Sequence, residues 1–129
     1  MARSRPAEFE VSSLVPAPPE KVWERIITPA GINHELRPWM RMTRPRGFER
    51  LDPESVELEP GRRFLERSPM LSQRSWQHER IVEPAEGGSR VTDRIRMEPR
   101  LGLPGAPLRP LFRAVFRHRH RRLRAWFAH

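Results

Sequence analysis

Side chains that can transfer protons or bind anions fall on two strand-like segments late in the chain. Residues 75–83 and 89–98 both alternate in the manner of β-strands. If the two segments pair as a hairpin, His78, Arg80 and Asp93 share one face. A histidine beside a carboxylate can perform general acid–base chemistry, and a guanidinium can bind an anion.

A four-residue loop, Ala85 to Gly88, sets the predicted register of this hairpin. On one face of the hairpin, this register places opposite charges across from each other, as in Glu83 with Arg90. This charged face is therefore predicted to be exposed to solvent. A shift of one residue would exchange the two faces. The predicted inner face carries four pairs, which are Trp76 with Met97, His78 with Ile95, Arg80 with Asp93, and Val82 with Val91.

A third strand, predicted from Arg62 to Met70, extends the inner face with Phe64, Glu66, Ser68 and Met70. Glu66 is then expected near His78 and Arg80. Three interpretations of these polar residues stay open. They are a buried network (Arg80–Asp93 and Glu66–His78) that only fixes the strands, a set of groups that orients a ligand, or an acid–base site with His78, Asp93 and Glu66 as catalytic candidates.

A long amphipathic helix is predicted from Leu108 to Phe127. Arg119 lies near the middle of its apolar arc, and His120 lies on the rim. The guanidinium of Arg119 must therefore either reach solvent along its aliphatic stem or pair with an acidic side chain or a ligand anion. Glu66 and Asp93 are the acidic residues on the predicted inner face. The arc consists of Leu108, Phe112, Val115, Phe116, Leu123, Trp126 and Phe127.

The first half of the chain supplies the elements that must support this face. A strand over 8–15 is followed by two short helices that begin with proline. The further predicted segments are helices at Pro19–Ile27 and from Thr28-Pro29 to Leu36 (the second distorted by Gly31), a strand at Trp39–Thr43, an irregular region at 44–60 with one strand near Val56–Leu58, and a loop at 99–107. His34, Glu35 and Arg37 are expected at a cavity mouth.

Composition predicts one domain over residues 1–129, with 1–7 flexible. The absence of cysteine excludes disulfides, thiolate metal sites and cysteine nucleophiles. No metal or cofactor is expected, because His118 and His120 are spaced to point apart on a helix. The chain has no apolar run of about 18 residues and no secretory signal at its start, so we expect a cytoplasmic protein.

Three stretches resemble the SRPBCC superfamily (START, polyketide cyclase and birch-pollen-allergen-like proteins). They are VPAPPEKVWERI at 15–26 followed by Trp39, SWQHERIVEPAEGGSRVTDRIRMEPRLGLPG at 75–105, and the closing LFRAVFRHRHRRLRAWF. The resemblance implies an α+β helix-grip fold, in which a curved antiparallel sheet wraps around a long C-terminal helix and two short helices follow the first strand. It also implies a cavity between sheet and helix for a hydrophobic small molecule.

The function expected from this resemblance is binding of a hydrophobic, weakly anionic small molecule, such as a lipid or a polyketide-like compound. The alternative is a cyclase- or dehydratase-like enzyme that uses the inner-face histidine and acids. The residues expected to bind the ligand are Trp39, Phe64, Glu66, Trp76, His78, Arg80, Asp93, Ile95, Met97, Phe112, Phe116 and Arg119.

A different class of function rests on net charge. The 25 basic and 16 acidic residues give +9, and Lys21 is the only lysine. Arginines on the last helix (Arg109, Arg113, Arg117, Arg121 and Arg124) could bind nucleic acid or a membrane surface. Nucleic acid is disfavoured, because the apolar face of the helix is needed for the sheet and the aromatic residues expected of a single-strand binder are not interleaved with these arginines. Peripheral membrane contact stays open. The sequence does not fix the oligomeric state.

Overall fold

A computed structural model describes residues 7–36, 56–70, 73–99 and 105–128 of the chain. These ranges contain five strands and three helices. In chain order they are β1 (Ala7–Val15), α1 (Pro19–Ile26), α2 (Pro29–Leu36), β2 (Val56–Glu59), β3 (Arg63–Met70), β4 (Gln73–Ala85), β5 (Gly88–Pro99) and α3 (Gly105–Phe127).

The five described strands form one antiparallel sheet in the order β1-β5-β4-β3-β2. Helix α3 packs against β1 and against α2, and α1 packs against β4. The predicted α+β class, with two short helices after the first strand and a long C-terminal helix, is confirmed. None of the helices in the described ranges is long and apolar enough to cross a membrane.

The register of the β4–β5 hairpin agrees with the prediction at every predicted pair, including Arg80 with Asp93. The loop is shorter than predicted, because Ala85 and Gly88 are themselves paired and only Glu86 and Gly87 form the turn. Gly87 adopts a φ of 82°. Two-residue hairpin turns need a positive φ, which glycine adopts without strain.

Strand β3 pairs with β4, as predicted, and places Phe64 opposite Arg80 and Glu66 opposite His78. Strand β2 agrees with the strand predicted near Val56–Leu58. The predicted strand at Trp39–Thr43 and most of the region 44–60 lie outside the described residues.

Gly31 does not distort α2, which is continuous, so that prediction was wrong. Instead, Gly31 lies where α2 contacts the end of α1. A Cβ atom at position 31 would lie 2.0 Å from the carbonyl oxygen of Arg25. Only a residue without a side chain therefore allows the two helices to approach this closely.

Strand β5 extends to Pro99 and helix α3 begins at Gly105, so the predicted loop at 99–107 was wrong at both ends, and residues 100–104 lie outside the described residues. Proline and glycine in this stretch suggested a loop. Pro107 nevertheless lies in the first turn of α3, where a backbone N–H has no partner within the helix, so proline is tolerated there.

Two apolar clusters lie between the sheet and the helices. One contains Val15, Val22, Trp23, Ile26, Phe64, Val82, Val91 and Leu123. The other contains Phe9, Trp76, Ile95, Met97 and Phe116, with Val11 and Phe112 against it.

Strands β1, β4 and β5 and helix α3 each contribute residues to both apolar clusters. On each of these elements, polar residues lie between the two clusters. On β4, for example, His78 and Arg80 follow Trp76 of one cluster and precede Val82 of the other. We call this set the polar belt; it comprises Ser13, Glu35, His78, Arg80, Asp93, Arg119 and His120.

Candidate functional site: a buried polar belt

Asp93 lies at the centre of the polar belt and is fully buried. Its Oδ1 accepts hydrogen bonds from His78 Nε2 at 2.6 Å and Arg80 Nε at 2.8 Å. Its Oδ2 accepts from Arg80 Nη2 at 2.9 Å and His120 Nε2 at 2.6 Å. The four donors occupy the lone-pair sites of a carboxylate.

Strand pairing brings this centre together. Arg80 and Asp93 are directly opposite each other in the β4–β5 ladder, and both side chains are buried on the inner face. His78 lies two residues before Arg80, on the same face of β4. The planar guanidinium of Arg80 matches the two carboxylate oxygens, an arrangement that is stronger and more directional than a single hydrogen bond.

Glu35 is the second buried carboxylate of the polar belt, and it comes from the end of α2. It accepts from Arg80 Nη2 at 2.7 Å and Nη1 at 3.0 Å, and from Arg119 Nε at 3.3 Å. The Arg119 guanidinium also lies 5.0 Å from the ring centroid of Phe116. Glu35 therefore connects three elements, α2, β4 and α3, through charged hydrogen bonds.

Two carboxylates and two guanidinium groups form the core of the polar belt. Burial alone would raise the pKa of Asp93, but Arg80, His78 and the hydrogen bond from His120 hold it well below its usual range. Burial likewise acts to raise the pKa of Glu35, and Arg80 and Arg119 lower it below its ordinary value. Two carboxylates and two guanidinium groups therefore stay ionised together inside the protein.

His120 links the central carboxylate to β1. Its Nε2 faces Asp93, and its Nδ1 lies 2.5 Å from the hydroxyl oxygen of Ser13. A carboxylate can only accept, so Nε2 carries a proton; with His120 neutral, the Ser13 hydroxyl donates to Nδ1. A serine, a histidine and a carboxylate connected in this order can form an activated nucleophile. Here, however, the carboxylate of Asp93 also accepts hydrogen bonds from Arg80 and His78.

Aromatic rings run alongside the polar belt in a continuous series. Trp76 stacks with Phe116 at 6.2 Å between ring centroids and tilts against Phe112 at 5.1 Å. The ring of His78 meets Phe116 edge-on at 4.9 Å and Phe64 at 5.5 Å. We call Phe64, Trp76, Phe112 and Phe116 the aromatic layer.

The structure unites most of the residues expected to bind a ligand. His78, Arg80, Asp93 and Arg119 meet in the polar belt. Phe64, Trp76, Phe112 and Phe116 form the aromatic layer, and Ile95 and Met97 are buried in the same apolar cluster as Trp76. Trp39 and Arg37 lie outside the described residues.

Glu66 does not join the network, although it is opposite His78 in the ladder. The predicted Glu66–His78 pair was wrong, because the His78 ring turns to Asp93 on the neighbouring strand. Among the described residues, Glu35 provides the second acid for Arg80, a role expected of Glu66. Glu66 is only half-buried, whereas Glu35 is completely enclosed.

Glu35, His120 and Ser13 are the residues that the sequence analysis missed. Glu35 was expected at a cavity mouth, but its exposed fraction is 1%. His120 was placed on the rim of the helix, yet it is buried and Arg119 lies nearer the edge. One signal was present, since His120 continues the apolar stripe of Phe112 and Phe116 at intervals of four residues.

A depression of about 440 Å³ lies on the outer face of the sheet and is lined entirely by described residues. Its lining includes Arg94, whose guanidinium pairs with Glu10 and Glu79. It is therefore a separate place from the predicted cavity between sheet and α3. In the described part of the chain, no three histidine or acidic side chains are grouped so that they could hold a metal ion.

Several solved structures share this fold. The di-domain ARO/CYC protein StfQ of the steffimycin biosynthetic pathway has a TM-score of 0.72 and 12% identity, over 95% of this chain and 50% of its own. The AHSA1-like protein of Rhizobium etli has a TM-score of 0.64 and 19% identity, over 95% and 82% of the two chains. Ara h 8.0201 has a TM-score of 0.59 and 14% identity, over 95% and 98%.

These likenesses agree with the resemblance to the SRPBCC superfamily, and at such identities they show the fold alone. This chain spans about half the length of StfQ. No curated protein matches the chain in sequence. One family model, described as "Domain of unknown function (DUF8410)", matches residues 13–58 and 52–127.

Proposed function

The chain belongs to the family described as Domain of unknown function (DUF8410), and from its interior we propose that it binds an apolar, weakly anionic small molecule. The molecule lies against the aromatic layer between the sheet and α3. Its acidic group is held by Arg119.

The observation that carries this proposal is that Arg119 donates a hydrogen bond to the described residues from only one of its three nitrogen atoms. Its side chain is only 11% exposed, and it donates to Glu35 through Nε alone. No described residue accepts a hydrogen bond from its two Nη groups. A mostly buried guanidinium with donors to spare, lying over the ring of Phe116, can receive a carboxylate or phenolate whose apolar part contacts the aromatic layer.

The rest of the polar belt supports binding more than catalysis. All four acceptor positions of Asp93 are occupied, and its pKa lies well below the usual range. Such a carboxylate is a poor base for removing a proton from a substrate. A cyclase- or dehydratase-like role would be supported if His78→Ala, shown to be folded by circular dichroism, abolished turnover of an aromatic polyketide and left its binding unchanged.

The test compares an anionic probe with its neutral analogue. Native mass spectrometry and thermal shift should show that palmitate or a hydroxylated anthraquinone binds, and that hexadecanol binds more weakly than palmitate. Arg119→Gln should remove the preference for palmitate, and Phe112→Ala should weaken both probes. Arg117→Gln, an exposed position on the same helix, is the matched control and should change neither.

Two results would contradict the proposal. One is the absence of binding by fatty acids, sterols and aromatic polyketides alike. The other is an Arg119→Gln variant that is folded by circular dichroism and still prefers palmitate to hexadecanol.

A further inference from the structure

The positive charge of the chain is concentrated on α3. This helix holds seven of the 25 basic residues and none of the 16 acidic residues, so it contributes +7 of the formal +9. Arginines occur throughout the sequence, but acidic residues balance most of the others. Among the helices and strands that the structure describes, α3 therefore carries the largest excess of positive charge.

Arginines on the outer face of the sheet differ from those on α3 in their partners. Arg94 pairs with Glu10, Arg96 with Glu8 and Arg67 with Glu57. On α3, five exposed arginines have no ion pair with any described residue. They form what we call the arginine row, which comprises Arg109, Arg113, Arg117, Arg121 and Arg124.

The arginine row is continuous along one face. Four of its members recur every fourth residue and Arg124 lies three residues after Arg121, which places all five within an arc of about 120°. From Arg109 to Arg124 the row spans about 22 Å at 1.5 Å per residue. The opposite face of the helix packs on β1 and α2.

We propose that the arginine row binds the phosphate backbone of double-stranded nucleic acid without reading its sequence. Guanidinium groups match phosphate oxygens in a bidentate way, and uncompensated positive charge is the sequence-independent component of such binding. The surface is independent of the proposed ligand site, because Arg119 points to the opposite side, toward Glu35.

Two other anionic partners fit this face less well. Binding at a membrane interface requires apolar side chains on the inserted face, but the residues between the arginines are Pro110, Ala114 and Ala125. Phe116 and Leu123 of α3 are buried, and the exposed apolar residues of this helix, Leu111 and Trp126, lie outside the arc of the arginine row. Single-stranded nucleic acid requires aromatic rings for base stacking, and the arginine row contains none.

The experiment is a fluorescence anisotropy titration of the full chain with a labelled duplex of mixed sequence, over a series of salt concentrations. If the five arginines each neutralise one phosphate, the slope of log K against log salt is about −4.5, and each single Arg→Ala change reduces it by about one. Replacing the whole row should abolish binding. The matched control replaces five exposed arginines outside α3, Arg62, Arg67, Arg90, Arg94 and Arg96, and should retain binding and slope.

The proposal is overturned by any of four results. These are no binding to the duplex at low salt, an equal loss in the control variant, tighter binding to single strands than to duplex, and binding to phosphatidylserine vesicles without binding to duplex. Circular dichroism of both five-fold variants establishes that they are folded before the comparison is made.

Discussion

Arg80 binds both oxygens of Asp93 across the β4–β5 ladder, with Nε–Oδ1 at 2.8 Å and Nη2–Oδ2 at 2.9 Å. The same guanidinium reaches Glu35 on α2, 45 residues earlier in the chain. One buried side chain thereby joins the sheet to a helix. Charged hydrogen bonds are directional, so this contact specifies how α2 lies on the sheet in a way that apolar packing alone does not.

Asp93→Asn should strongly destabilise the fold. The change keeps the shape of the side chain but leaves Glu35 as the single carboxylate of the polar belt for both Arg80 and Arg119, and one uncompensated buried charge costs about 3–5 kcal/mol. Chemical denaturation measures the free energy of unfolding. Glu79→Gln removes a carboxylate that pairs with Arg63 at the edge of solvent, and it should cost less than about 1 kcal/mol. Equal losses in the two variants would contradict a central role for Asp93.

The free energy of unfolding should decrease as the pH is lowered. The pKa values of Asp93 and Glu35 are lowered in the folded state from their ordinary values of 3.8 and 4.5. The unfolded chain therefore binds protons first, so the stabilisation is fully present above about pH 5 and is lost progressively as the pH falls below the ordinary values. Urea unfolding at several pH values measures this slope. In Glu35→Gln the slope should be shallower; a slope equal to that of the unaltered chain would show that Glu35 does not contribute.

Ser13→Ala should leave the Nδ1 atom of His120 without its donor. An unsatisfied buried acceptor costs about 1–3 kcal/mol, which unfolding experiments can measure. In the unaltered protein, nitrogen NMR of the ring should show the proton on Nε2, the atom that faces Asp93. Ser12→Ala, on the exposed side of the same strand, is the control and should have a smaller effect. A proton on Nδ1 in place of Nε2 would refute this hydrogen-bond assignment.

Gly31→Ala should destabilise the protein, although alanine is the better helix former by about 1 kcal/mol. The added Cβ would overlap the carbonyl oxygen of Arg25, so α2 must move away from α1. Thermal unfolding gives the sign of the effect. The neighbouring Ala30 is exposed, and Ala30→Gly should cost about 0.5–1 kcal/mol through propensity alone. A Gly31→Ala variant that is more stable than the parent would show that the helices can separate freely.

The sequence by itself determined the β4–β5 register, the inner-face placement of His78, Arg80 and Asp93, and the amphipathic character of α3. These features follow from periods of two and 3.6 residues and from the pairing of neighbouring charges, all of which are local properties of the chain. The aromatic layer was predictable for the same reason, because its members lie on faces that periodicity identifies.

Only the tertiary structure decided that Glu35 meets both buried arginines and that His120 meets Asp93. Glu35 reaches Arg80 and Arg119 because α2 packs its last turn against the interior, and His120 reaches Asp93 because α3 presents that position to β1 and β5. The rotation of a helix on a sheet depends on contacts between segments far apart in sequence. Helical periodicity locates the buried arc of α3 with an error of about one residue. An error of this size exchanges His120, which is buried, with Arg119, which lies at the edge.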